Sequence, residues 1–197
     1  MSTDSYFAAQ ARNYDTRLKK GILGRVRNSE MKAIMKALDS QKGESILDIP
    51  CGSGFYADYM RAAGATVYGV DISHEMIEVF TQKGYLGEVG NLESLNLKRK
   101  FDKVLSAGGF EFCKHHRQIV DNLIAHVKDD GIIVIFFSGN NFFGVLYKLY
   151  HLISHNINAV IFSKKRIISL CTRQNIIIQD IKSCGLYGYV VKLKKVR

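Results

Sequence analysis

The chain has 197 residues, of which 47% are hydrophobic and 23% charged, enough apolar material to bury a core and fold as one domain of ordinary size. That balance, with one proline (Pro50), excludes disordered, collagen-like and low-complexity classes. The formal net charge is +10, and residues 163–197 carry nine Lys/Arg against one acid, Asp180. Such a surface attracts nucleic acid, an anionic membrane or an anionic substrate, or is simply a solvated basic face. No run approaches the roughly 18 apolar residues of a membrane span. The longest candidate, Phe142 to Phe162, is interrupted by Lys148, His151 and His155. The first residues lack a basic-then-apolar leader pattern, and the four scattered cysteines form no Cys-x-x-Cys pair. A cytoplasmic protein without a bound metal is the expectation.

In chain order, residues 1–42 read as two helices. Phe7, Ala8, Ala11 and Tyr14 mark the first, and Val26, Met31, Ile34, Met35 and Leu38 the second, with Gly21 and Gly24 between them. A short buried strand, Ser45 to Ile49, runs into a glycine-rich turn and a helix, Tyr56 to Ala63. The strand Thr66–Val70 ends at Asp71, and Asp71 or Ser73 can cap the helix His74–Lys83. A weaker strand lies near Leu86–Val89 and a stronger one at Phe101–Ser106. A helix is predicted over 114–128, a turn at Asp129-Asp130-Gly131, and an almost wholly apolar strand at Ile132–Phe137. Strands apolar on both faces belong to a parallel sheet covered by helices. After it come an aromatic helical stretch (142–155), a helix (163–174) and two strands (175–182 and 187–194) about a turn at Gly185. The expected fold is α/β: a Rossmann-like, doubly wound, mostly parallel sheet with an antiparallel C-terminal edge and N-terminal helices. Residues 1–197 read as a single domain. Its parts are an N-terminal helical cap (1–42), a ligand-binding core (44–138), a lid (139–162) and a C-terminal helix with strands (163–197).

Asp48-Ile49-Pro50-Cys51-Gly52-Ser53-Gly54 lies where the first strand meets a helix. Glycines there let a ligand approach the backbone closely, and Gly52, Gly54 and Ala57 even satisfy the dinucleotide template. Asp48 beside the turn would repel a pyrophosphate and attract a cationic group. Asp71, 17 residues beyond Gly54, can accept from ribose hydroxyls. A ribose joined to a cationic amino-acid end describes S-adenosylmethionine.

At these residues the chain resembles the class I S-adenosylmethionine-dependent methyltransferases, small-molecule and quinone-type members among them. Residues 46–54 match that family's first motif and Val67-Tyr68-Gly69-Val70-Asp71-Ile72-Ser73 its second. The similarity continues through Gly90-Asn91-Leu92-Glu93, residues 101–106 and the Asp130-Gly131 turn, while Phe7, Ala11, Tyr14 and Asp15 resemble the family's opening helix. Two departures stand out. Pro50 replaces the usual glycine, and Asn91 the usual aspartate at the adenine edge.

The resemblance implies that Asp48, Pro50, Cys51, Gly52 and Gly54 surround the cofactor and that Asp71 holds the ribose. Ile72 would lie on the adenine, Asn91 and Leu92 at its far edge, and Ser106 and Ala107 beside the methionine part. Tyr14 would close over the site. Methyl transfer needs alignment and exclusion of water, with a base only for a protonated acceptor. Candidates for that base lie in residues 111–116, chiefly His115 and His116. Successive helical residues point about 100° apart, so the two cannot both face the site. In the stretch after the sheet, Phe142, Phe143, Leu146, Leu149, Tyr150 and Ile153 share one helical face, with Tyr147, His151 and Ser154 turned elsewhere. This helix either packs on the core or lids an apolar acceptor pocket. In the second reading Phe142, Phe143, Tyr147, Tyr150 and His151 touch the acceptor.

The expected activity is methyl transfer to a small hydrophobic or aromatic acceptor, lipidic or anionic, with peripheral membrane contact as a further expectation. An RNA methyltransferase is the nearest alternative, but the Asn/Asp-Pro-Pro-aromatic signature of amino-methylating RNA enzymes is missing after the fourth strand, where Ser106-Ala107-Gly108-Gly109 stands. A non-catalytic cofactor-binding subunit is another alternative, and an NAD-dependent oxidoreductase is disfavoured by Asp48.

Overall fold

The computed structural model describes residues 21–197, so the first expected helix and Tyr14 lie outside the described residues. Helix α1 (Gly21–Leu38) is followed by β1 (Ser45–Asp48), α2 (Phe55–Ala62), β2 (Thr66–Asp71), α3 (His74–Gln82), β3 (Leu86–Val89) and β4 (Phe101–Ser106). Then come α4 (His116–His126), β5 (Val127–Ser138), α5 (Phe142–His155), α6 (Lys164–Cys171), β6 (Ile176–Cys184) and β7 (Gly188–Lys195). Short 3-10 turns occupy Leu92–Ser94 and Phe110–Phe112.

The seven strands form one sheet in the order β3-β2-β1-β4-β5-β7-β6. The first five are parallel, and β7 runs antiparallel to both β5 and β6. The order reverses between β1 and β4, the position at which sheets of this kind open a crevice at the carboxyl ends of their strands.

Strand alternation divides the core in two. Leu47, Val104, Ile133 and Ile135 point to the face covered by α4 and α6 through Ile119, Leu123 and Ile167. Ile46, Leu105, Val134 and Phe136 point to the opposite face, covered by Ile34 and Leu38 of α1, Met60 of α2 and Phe80 of α3. Neighbouring residues of one strand serve different layers because successive side chains leave a strand on opposite sides.

Three local expectations are corrected. Gly24 does not separate two helices, because α1 runs through it from Gly21. Helix α4 is shorter than predicted, ending at His126, and β5 begins at Val127. The Asp129-Asp130-Gly131 turn is therefore an irregularity inside β5, with Asp130 at φ 64° and a register shift against Phe101/Lys103. Thirdly, the apolar face of α5 does not pack on the core. Phe142, Phe143, Leu146, Leu149, Tyr150 and Ile153 are exposed, and Ile153 is 80% accessible. Gly144 and His151 face inward instead, with Tyr147 half-buried beside them. The inward side is fixed by polar partners: the Tyr147 hydroxyl donates to Glu111 at 3.0 Å, and its ring stacks on Tyr187 at 4.9 Å.

Candidate functional site

The glycine turn leaves β1 at Asp48, passes through a cis Ile49–Pro50 peptide and ends at Gly54, the N-cap of α2. Both Gly52 (φ 52°) and Gly54 (φ 91°) take left-handed conformations that L side chains adopt only at a cost. A Cβ on Gly54 would press on the Phe80 ring at 3.1 Å, so Gly54 is required for packing. One on Gly52 would meet nothing within 4 Å, so Gly52 opens onto free space. The turn is tied down on both sides. Cys51 N donates to Val70 O at 2.9 Å, and Ile49 N to Leu105 O at 2.9 Å. Pro50 lies against Gly109, where any side chain would strike its ring.

Asp71 and Asp48 differ sharply. Asp71, at the end of β2, accepts from Gly52 N at 2.9 Å and from Ser73 N at 3.0 Å. Ser73 itself caps α3, accepting from Met76 N at 3.2 Å. Asp48, at the end of β1, is fully buried, and neither carboxyl oxygen has a hydrogen-bond partner among the described residues. Burial, assisted by the charge of Asp71, holds its carboxyl well above the usual carboxylate range. Ser106, at the end of β4 beside β1, is likewise buried with its hydroxyl unsatisfied. Buried polar groups are ordinarily paired, so two orphans at adjacent strand ends mark a place built for a polar or cationic ligand group.

Ile72 follows Asp71 and is 43% accessible, an apolar surface at the rim. Leu92 is buried. The Asn91 amide oxygen accepts from Glu93 N at 2.8 Å and caps the Leu92–Ser94 turn, so the oxygen expected to meet adenine is engaged locally. Ala107 is buried after Ser106, and the buried Cys51 thiol is pushed up by desolvation and by the charges of Asp48 and Asp71. Cys113 is pushed up to about 12 by burial and by Glu93 and Glu111.

The two candidate histidines are separated as helix geometry requires. His115 is the exposed N-cap residue of α4, and its backbone N donates to Glu93 at 2.6 Å. His116 is buried between the rings of Phe110 and Phe162, with centroids at 5.2 and 5.0 Å, and burial lowers its pKa. Both line a depression between α4 and α6 shared with Arg117 and Arg166, on the flank of the sheet. Their neighbours are Glu93, Phe110, Phe162 and Arg166, none of them from the glycine turn.

Two acids carry more of the site than the sequence reading gave them. Glu111, just beyond β4, is buried; its Oε1 accepts from Tyr147 and, at 3.3 Å, from Ser138 at the end of β5, while Oε2 has no partner among the described residues. Glu30 of α1 is also buried, with Oε1 unpartnered and Oε2 3.5 Å from Arg27. Burial raises the Glu30 pKa against the pull of Arg27, and the Glu111 charge adds to the rise. The signal for Glu30 was present in its position, four and eight residues before the core residues Ile34 and Leu38. A charge on such a stripe is rarely accidental. Among the described residues no group of three His, Cys, Asp or Glu could hold a metal ion.

Residues 47–135 match the family model described as a methyltransferase domain. The chain is 27% identical over 151 residues to the malonyl-[acyl-carrier protein] O-methyltransferase of Acetivibrio thermocellus, covering 74% of this chain and 52% of that protein. It is 28% identical over 127 residues to the ubiquinone biosynthesis O-methyltransferase of Rickettsia felis, covering 58% and 51%. The chain thus spans about half the length of these curated relatives. Among solved structures, a methyltransferase in complex with the Haloferax volcanii Trm112 methyltransferase activator superposes with a TM-score of 0.83, 14% identity and complete coverage of both chains. The Synechocystis magnesium protoporphyrin IX methyltransferase with bound SAH gives 0.75 and 14%, over 98% of this chain and 97% of that one. Residues 47–135, which hold the glycine turn, Asp71 and Ser106, are thus similar to a methyltransferase domain, and the fold is that of the superposed structures.

Proposed function

We propose that residues 1–197 form one methyltransferase domain that methylates a hydroxyl oxygen of a small acceptor with an apolar or aromatic part, and that it works in the cytoplasm. The observation that carries this reading is Glu111, a buried carboxylate with one free oxygen at the carboxyl ends of β4 and β5. S-adenosylmethionine, when bound, would supply a methyl group already activated on a sulfonium, so the protein's task would be alignment, exclusion of water and removal of one proton. Asp48 and the Ser106 hydroxyl would hold the cationic amino-acid end. Gly52 would let the backbone approach, Asp71 would accept from the ribose, and Ile72 would lie against the base. As the carbon–oxygen bond forms and the carbon–sulfur bond breaks, Glu111 would receive the hydroxyl proton, held in place by Tyr147 and Ser138. Tyr147 and His151 lie on the inner side of α5 and remain acceptor-side candidates, whereas Phe142, Phe143 and Tyr150 are turned outward.

The reading is supported by the O-methyltransferase relatives and by this site, whereas the Asn/Asp-Pro-Pro-aromatic signature that would favour RNA is missing after β4. Its test uses cofactor labelled in the methyl group, incubated with the protein and cell extract fractionated into lipids, RNA and metabolites. Label is expected in a hydroxyl-bearing small molecule or lipid, and label in RNA would overturn the assignment. Glu111→Gln should lower turnover by about 10²- to 10⁴-fold, the usual worth of a positioned base. Its binding of S-adenosylhomocysteine, followed by calorimetry, should be unchanged.

A further inference from the structure

The amphipathicity of α5 is inverted. Its inward line, Gly144, Tyr147, His151 and His155, is spaced by three and four residues and carries the polar contacts. The outward surface presents Phe142, Leu146, Leu149, Tyr150, Leu152 and Ile153, each at least 42% accessible. Apolar patches of this size on a monomer's surface mark a place where something else docks.

Charge around the patch selects the partner. From Gly131 to Gln179 the chain has no Asp or Glu, while it has Lys148, Lys164, Lys165, Arg166 and Arg173. The start of α6 is fastened beside the start of α5 by backbone hydrogen bonds, Asn140 N to Phe162 O at 3.0 Å and Phe162 N to Ser138 O at 2.8 Å. Lys164 and Lys165, both exposed, therefore stand at the rim of the apolar surface. Arg166 packs over the Phe162 ring at 4.9 Å and shares a depression with Lys114 and Arg117. The one acid of that depression, Asp121, is bound to Arg173 at 2.7 Å, so it does not offset these cations.

We infer that α5 and the basic start of α6 form a surface that seats the protein on an anionic lipid bilayer, with the outward side chains of α5 immersed and the α4/α6 cations on the headgroup phosphates. An apolar helix face bordered by Lys and Arg is the physical pattern of an interfacial helix. With 14 residues, α5 is about 21 Å long, too short to cross the hydrocarbon core and suited to lying in the interface. No described helix is long and apolar enough to span a membrane. A protein partner with an acidic rim would also satisfy the charge. The bilayer is favoured because the exposed apolar side chains run along the helix from Phe142 to Ile153, and its basic border extends over two further helices. The inference concerns attachment and holds for any acceptor, so it is independent of the chemistry proposed above.

The test is co-sedimentation of the whole protein with vesicles of phosphatidylcholine alone or mixed with phosphatidylglycerol. Binding is expected to the anionic vesicles, to weaken with added salt, and to be slight on neutral ones. Each lysine at an anionic surface is worth about fivefold in partitioning, so Lys164→Glu with Lys165→Glu should weaken binding more than about 25-fold. Phe142→Ser with Leu146→Ser and Ile153→Ser should remove binding altogether. These positions are exposed, so the melting temperature and S-adenosylhomocysteine binding should be kept, which separates lost attachment from misfolding. No sedimentation of the native protein with anionic vesicles, or undiminished sedimentation of the triple variant, would overturn the inference. So would concentration-dependent self-association that the triple variant abolishes while vesicles stay unbound, because the face would then join two copies of this chain.

Discussion

The Asp71 carboxylate reaches back 19 residues to accept from the backbone N–H of Gly52 at 2.9 Å, joining the end of β2 to the turn that leaves β1. The same side chain accepts from Ser73 N, so one carboxylate ties together both sides of the crevice at the ends of β1 and β2.

Asp71→Ala therefore removes two charge-assisted hydrogen bonds as well as the proposed ribose acceptor, each such bond being worth about 1.5–3 kcal/mol. The dissociation constant for S-adenosylhomocysteine, measured by calorimetry, is expected to rise tenfold or more. Asp71→Asn, which keeps one acceptor oxygen, should lose less. An unchanged constant in the alanine variant would place the ribose elsewhere.

Gly52 and Gly54 should separate binding from stability. Alanine at either position costs about 1–2 kcal/mol for its left-handed backbone. Gly54→Ala must also displace the Phe80 ring, so it should be the less stable of the two in urea denaturation. Gly52→Ala projects its methyl into open space at the crevice and should be the one that loses S-adenosylhomocysteine binding.

The orientation of α5 can be checked by paired substitutions. Tyr150 is 57% accessible, and Tyr150→Ala should change stability by no more than about 0.5 kcal/mol. Tyr147→Phe deletes a bond to a buried carboxylate and should cost about 1.5–3 kcal/mol. Equal costs in chemical denaturation would mean that the helix is rotated from the arrangement described.

His151 gives the protein an acid-sensitive anchor. Burial, with the neighbouring His155 charge, lowers its pKa from the ordinary 6.5 to about 4. As pH falls through that interval the unfolded chain takes up the proton first, so the stabilisation is full above about 6.5 and is lost by about 4. Denaturation midpoints measured across this range should fall less steeply in His151→Phe. His116, whose pKa is also lowered, adds a slope of the same sign, while the raised carboxyls of Asp48 and Glu30 add slopes of the opposite sign. Asp102, held down to about 2 by Lys128 and Ser45, acts only in more acid solution.

The strands and the glycine turn were legible because they rest on local chemistry: apolar runs, a left-handed turn and an acid at each strand end. Sheet order was not, since pairing of β7 between β5 and β6 depends on contacts between distant segments. Helical periodicity found the apolar face of α5 but could not tell which way it points. That choice was made by the buried Glu111, which needs the Tyr147 hydroxyl as a donor. Choosing histidines over Glu111 followed the ordinary pKa of imidazole, whereas burial favours His116 as a neutral ring in an aromatic cluster. The Asp129-Asp130-Gly131 signature suggests a turn between elements, but the chain there is already in β5, because a strand can absorb a bend as a bulge.

The placement of β7 also imposes an order on assembly. Strand β5 has an apolar edge, Ile132–Phe137, whose partner is Tyr189–Lys194, more than fifty residues later in the chain. A ribosome delivers β1 to β5 first, and until β7 is released the nascent sheet ends in an unpaired hydrophobic edge of the kind that recruits other chains. Strand β6 cannot shield it, because its own register with the sheet passes through β7. The interval between synthesis of β5 and of β7 is thus the period in which that apolar edge stands without its partner strand.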